Sequence, residues 1–267
     1  MTNAAFTARQ MRLGRSPIGL LGAEILKLRK RRGLVLASVA LTVAPMLVAY
    51  AVLALRHASD PASFGPAGSA ENLSHAVSIL TSLAAVAAVL IGVTVGAGDL
   101  SSGVFRELVI TGRSRLHLYA ARIPAGLLLL VPLVILGFAI PATASFALAG
   151  SEPTPAVTLV AHAGAVLVVE AVLAFVLALG IASLIGSRGT SIAILLGWQL
   201  ALAPALVAIQ SLDWVSGALP AAAIDRLAPR ELGETADVSP ATAAVVIIAW
   251  TIAPLAAGAW RTWTRDA

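Results

Sequence analysis

The chain contains no cysteine among its 267 residues. That excludes a disulfide framework, a thiolate zinc site and a cysteine nucleophile. Charge is scarce as well: Asp, Glu, Lys and Arg make up 12% of the residues, against about 25% in soluble domains. Lysine occurs only as Lys27 and Lys30. Neither stands in a G-x-x-x-x-G-K-[ST] phosphate loop, so the chain has no means of hydrolysing ATP by that route. The four histidines, His57, His75, His117 and His162, are scattered, without H-E-x-x-H or any metal-ligand spacing. G-x-S-x-G and a paired-aspartate diphosphate motif are missing too. Glu152 and Glu170 are 18 residues apart. On a continuous helix that is about 27 Å, too far for an acid–base pair. Neither a fixed-period repeat nor a pair of inverted halves is visible.

What fills the chain instead is apolar. Residues of the AVILMFWYC set account for 59%, and mean hydropathy is +0.93. A soluble fold of about 300 residues buries only about 75% of its surface, which is too little to hide this composition. An integral membrane protein is expected. A hydrocarbon core about 30 Å thick takes about 20 apolar residues as a helix, and six stretches meet that length: 34–55, 76–97, 123–149, 157–185, 191–212 and 241–260. Backbone polar groups in lipid must be satisfied within each segment, and the ten-residue alternation of a barrel is absent. The expectation is an all-α, six-span membrane domain over 34–260, preceded by residues 1–33 and followed by a short tail, 261–267. Pro132 and Pro141 are expected to kink the third span. The first run is 22 residues long and follows an extended basic region, so it reads as a retained span.

The net charge of +5 is no nucleic-acid signature, because of where the charges lie. Fifteen Lys and Arg fall before the first span, in the second and fourth connections, or after the last span; Arg56, Arg226 and Arg230 fall on the other side. The positive-inside rule puts both termini in the cytoplasm of a multi-pass plasma-membrane protein. Of the five tryptophans, Trp198, Trp214, Trp260 and Trp263 lie near span ends, as interfacial anchors do, with Trp250 the exception.

Two segments carry more than topology. From Pro17 to Arg32, Ile18, Leu21, Ile25 and Leu28 make one stripe at about 100° per residue, with Glu24, Lys27 and Arg31 set opposite. Pro17 and Gly33 suit the two ends of a helix. The expectation is an amphipathic helix in the interface, with its basic residues near anionic headgroups; a plain stop signal is the alternative. The second segment is the connection after the second span, G-A-G-D-L-S-S-G-V-F-R-E-L-V-I-T-G-R-S-R over residues 96–115. Asp99 or Ser101 suits the cap of a short helix and Gly112 its end. Phe105, Leu108 and Val109 share a face beside exposed Arg106 and Glu107. Such a helix either inserts into a partner or packs on its own domain. Outside, Leu219–Leu227 reads as a short interfacial helix among several acids.

Glu170 lies near the middle of the fourth span. An ionised carboxylate there costs about 2.5–3.5 kcal/mol on insertion scales. It is therefore either a pathway residue or a neutral side chain bonded to a neighbouring helix, for example to Gln199. Gln199 and Gln210 suit helix–helix hydrogen bonding.

The order of basic helix, first span and the 96–115 segment resembles the permeases of the ABC-2 type, the membrane subunits of ATP-binding cassette exporters. Asp99 stands at the family's acidic position, where Glu is commoner, and Gly103 at the following glycine. Val104 replaces the usual hydroxyl residue. Arg113 and Arg115 match the basic positions after the break, and Arg122 stands where a Lys often begins the third span. The six-span layout extends the likeness over most of the chain. The resemblance implies that Asp99, Gly103, Phe105, Arg106, Glu107, Leu108, Arg113 and Arg115 form a coupling segment that docks on an ATPase subunit. It implies two such ATPases, a second copy or sister permease, and alternating access that exports a drug, peptide or lipid-like substrate. The chain itself would be non-catalytic, with no cofactor, metal or nucleic acid. A membrane-embedded enzyme and a non-transporting scaffold or sensor are the rival readings.

Overall fold

The computed structural model describes residues 17–104, 107, 110, 114–208, 217–229 and 238–264. Among these, every regular element is helical. Six helices are long and apolar enough to cross a membrane, as the hydropathy predicts, and the chain is a multi-pass membrane protein.

Helix α1 (Pro17–Lys30) starts on a proline, whose missing N–H is no loss in a first turn. It stops at Arg31, which leaves helical geometry at φ −82°, ψ 68°. The chain re-enters at once as α2 (Arg32–Thr42), so Gly33 lies inside the next helix and ends nothing. After Val43 the path continues as α3 (Ala44–Ser59). The break falls where Pro45 can neither donate a backbone bond nor clear the preceding turn. Together α2 and α3 make the first span, Arg32–Ser59.

Helix α4 (Ala70–Ser101) is capped by Ser69, whose Oγ accepts from Asn72 N at 3.2 Å. Its 32 residues reach about 48 Å at 1.5 Å per residue, well beyond a hydrocarbon layer of about 30 Å. The surplus corrects one expectation. Asp99 caps no new helix; it occupies the last turns of α4 and is buried. The third span likewise begins earlier than the apolar run, as α5 (Arg115–Ala147), which passes uninterrupted through Pro124, Pro132 and Pro141. Arg122, expected in a connection, is inside this helix and fully buried.

Helix α6 (Val157–Ile185) matches its expected limits and ends on Gly186 at φ 78°, the left-handed cap that glycine adopts without penalty. The fifth span changes character midway. Helix α7 (Arg188–Gly197) passes into a π-helical turn, Trp198–Leu202, and then α8 (Ala203–Ala208). Helix α9 (Pro220–Asp225) is the short helix foreseen around 219–227, and α10 (Pro240–Thr264) is the sixth span.

Helices α4 and α6 form the centre of the bundle. Gly92 and Gly96, one turn apart on α4, face α6 so closely that a Cβ on either would lie under 2.8 Å from an α6 backbone carbonyl, of Phe175 and Leu179 respectively. Lipid gives helices no hydrophobic reason to associate, and small residues at this spacing allow close van der Waals contact instead. Leu80, Ile91, Leu130, Val134, Leu167 and Phe175 fill the core around that seam. One end of the bundle collects α1, the α4–α5 connection and the α6–α7 turn. At the other end Gly68 N donates to Leu148 O at 2.9 Å, tying the α3–α4 and α5–α6 connections together.

Candidate functional site: a charged junction and an acidic cleft

At the α1 end, three helices meet on one carboxylate. Lys27 Nζ from α1 donates to both oxygens of Asp99, at 3.1 and 2.9 Å. Arg122 Nη2 from α5 donates to Asp99 Oδ2 at 3.1 Å. The same guanidinium reaches Gly96 O through Nη1 at 3.3 Å. Glu24 completes the group with an ion pair to Lys27 at 2.6 Å. A guanidinium stripped of water is tolerable only with such company.

The arrangement corrects the expectation for α1. Glu24, Lys27 and Arg31 do not form a free face across from the apolar stripe but pack toward the bundle. Glu24 is buried, Lys27 is turned onto Asp99, and the Arg31 guanidinium lies against Gly98, with Nη2 3.2 Å from where a Cβ would stand. Arg29, Lys30 and Arg32 are the basic residues left exposed. The reason is angular: at about 100° per residue Glu24 falls only about 40° from Leu28, so it borders the buried stripe.

Beyond Asp99 the chain turns through Gly103, which has φ 75°. Val104, Glu107 and Ile110 then have helical geometry and are exposed, Ile110 at 75%. Phe105, Arg106, Leu108, Val109, Gly112 and Arg113 lie outside the described residues. Arg115 opens α5 and donates from Nη1 to Trp263 O at 3.1 Å, fastening the last span to this end. Nearby, Arg188 Nη2 donates to Thr94 Oγ1 at 3.2 Å. The junction thus touches α1, α4 and α5 directly, and α7 and α10 are held beside it.

The second feature is a cleft of about 720 Å³ bounded by α4, α6, the fifth span, α9 and α10. Its walls are mostly apolar, including Leu173, Leu177 and Ile224. Glu170 lines it, half-buried, with the Thr81 hydroxyl within hydrogen-bonding reach. Gln199, the partner considered from the sequence, lines the same cleft from the π-helical turn. Trp198 and Trp250 pair there with ring centroids 6.4 Å apart and planes inclined by 31°, within the range of favourable aromatic contacts. Trp250 Nε1 donates to Ala218 O at 2.9 Å, holding the approach to α9. Trp250 is therefore a wall of the cleft, in keeping with its distance from the span ends. Asp225, at the end of α9, follows the lining residue Ile224 and puts a second acid at the rim of the cleft. It keeps an exposed edge, yet burial beside the cleft pushes its carboxyl above the usual carboxylate range.

No protein-family model matches the chain, and no curated protein matches it by sequence. The two features stand on their geometry. The junction unites Asp99, Lys27 and Glu24, which the sequence marks in separate segments, with Arg122, which it marks only as a basic residue at the start of the third span. The cleft adds Thr81 and Trp198 to Glu170, with Asp225 next to the lining residue Ile224 at its exposed rim. Nothing in their local sequence pattern signals them, because they are brought together only when α4, α6, α9 and the fifth span pack.

Proposed function

We propose that the chain is the permease subunit of an ABC-2-type exporter, driven by ATPase subunits on separate chains that dock where α1 and the α4–α5 connection lie. The observation that carries this reading is the Lys27–Asp99–Arg122 junction at the root of that connection. A push on the connection that carries the exposed Val104, Glu107 and Ile110 reaches α4 at Asp99, and through Asp99 it reaches α1 and α5. An ordinary surface loop needs no such anchorage, and surface ion pairs contribute little. A three-helix junction around a dry guanidinium suits a lever.

In the proposed cycle, ATP binding closes the motor dimer, the connection moves, and α1, α4 and α5 shift as a unit. Because α4 is pressed against α6 along Gly92 and Gly96, that movement reaches the cleft by displacing one of its walls. Two copies, or one copy with a sister permease, would enclose the pathway, with both termini on the cytoplasmic side.

The test is co-purification with a phosphate-loop ATPase encoded beside this chain. Replacing Phe105 and Arg106 together by Ala is expected to abolish substrate-stimulated ATP hydrolysis and weaken the complex. Unchanged complex formation and unchanged stimulated hydrolysis would show that the connection does not couple.

A further inference from the structure

We propose that the cleft beside Glu170 is a binding site for lipophilic cations, with the charge held between Glu170 and Asp225 and the apolar body against Trp198 and Trp250. As the transported class it rests on the permease reading; as a binding site it does not.

Size comes first. A volume of about 720 Å³ lies within the roughly 300–1,000 Å³ of small-molecule sites. The walls come second: Leu173, Leu177, Ile181 and Ile224 present apolar surface, the lining such sites use for most of their contact area. Charge decides between ligand classes. Among the described residues Glu170 is the one titratable side chain lining the cleft, and Asp225, next to the lining residue Ile224, adds a second acid at its rim. No Lys, Arg or His lines it among the described residues. Arg226, next to Asp225, does not line the cleft, and its Nε donates to Val238 O at 2.9 Å. Among the described residues an anionic amphiphile would meet two acids and no basic side chain, and a neutral one would bring nothing to balance an ionised carboxylate. A cation satisfies both. The tilted Trp198–Trp250 pair adds ring faces, and a cation within about 6 Å of an indole is attracted by its quadrupole. A delocalised cation suits the site best, because it is cheap to dehydrate.

The experiment uses the full chain in nanodiscs and tetraphenylphosphonium as the probe, read by equilibrium dialysis and by quenching of tryptophan fluorescence. Triphenylphosphine oxide, which carries no net charge, is the control ligand. The expected result is saturable phosphonium binding at least tenfold tighter than that of the oxide. Glu170→Gln should weaken it tenfold or more, and Asp225→Asn, at the exposed rim, severalfold. Replacing Trp198 and Trp250 together by Leu should remove most of the quenching. Absence of saturable phosphonium binding overturns the proposal, as does equal binding of the oxide. Wild-type affinity in both carboxyl variants overturns it too, and Asp225→Asn keeps that arm open should Glu170→Gln fail to fold. A chain that binds phosphonium but captures no ATPase keeps this site and loses the permease reading. A chain that couples to an ATPase and ignores phosphonium does the reverse.

Discussion

Arg122 is the residue whose position makes the heaviest demand on its neighbours. Its side chain has no exposed surface, and its carboxylate partner is 10% exposed. Removing one member of a buried pair typically costs about 3–5 kcal/mol, because the remaining charge is left dry and uncompensated. Asp99→Ala should therefore lower stability by about that amount, seen as a fall in the unfolding midpoint in detergent. Lys27→Met should cost less, since Asp99 keeps Arg122 and the Lys27 side chain is 37% exposed. Replacing the pair outright, with Asp99→Leu and Arg122→Met together, should recover most of the stability lost in Asp99→Ala, because well-packed apolar residues can substitute for buried ions. If the lever reading holds, that double variant stays folded and is still uncoupled from ATP hydrolysis. A double variant that is folded and fully coupled would mean that the junction is structural only. The sequence marks Lys27 and Glu24 through the helical periodicity of residues 17–32, and Asp99 as a cap candidate and as the acidic position of the family resemblance. It does not pair them, since 72 residues separate Lys27 from Asp99 and the contact exists only after packing.

Elements were legible where one property sets them and blurred where two compete. Hydropathy places α6 to the residue, because lipid length and helix length agree there. It ends the second span early and starts the third late, because α4 and α5 continue past the apolar layer to carry Asp99 and Arg122 to their meeting point. Glycines separate the two kinds of constraint. Gly22 lies inside α1 with nothing within 4 Å of a would-be Cβ, whereas a Cβ on Gly96 would lie 2.6 Å from Leu179 O. Gly22→Ala should therefore stabilise by about 0.5–1 kcal/mol through helix propensity. Gly96→Ala should destabilise by about 1–3 kcal/mol through overpacking, although the chemical change is identical. Thermal unfolding of the two variants should move in opposite directions; a common direction would mean that the α4–α6 seam is looser than described. Gly103 tests a third case. It is spatially free, but its φ of 75° should cost an alanine roughly 1–2 kcal/mol. Gly103→Ala should leave the bundle intact and change the angle of the 104–110 segment, lowering ATPase coupling more than stability.

At the scale of the whole molecule, the basic residues divide between the two ends of the bundle. Lys27, Arg31, Arg122 and Arg188 gather at the α1 end, and Arg56 and Arg226 stand at the other. The same asymmetry that organises the junction therefore also carries the orientation signal, since translocating a basic loop is disfavoured. The absence of cysteine makes the orientation directly measurable, because any thiol introduced is the only one. Ala62 is exposed in the connection between α3 and α4, and Glu107 is exposed beyond Gly103 at the opposite end. In intact cells, Ala62→Cys should react with a membrane-impermeant maleimide, and Glu107→Cys should react only after permeabilisation. The reverse pattern would place the α1 end outside and leave an ATP-driven partner no compartment in which to dock. Labelling of Glu107→Cys in permeabilised cells should then fall when the ATPase is co-expressed, because the docked subunit shields the segment. Unchanged labelling at saturating ATPase would move the docking surface away from the α4–α5 connection while leaving the six-span orientation in place.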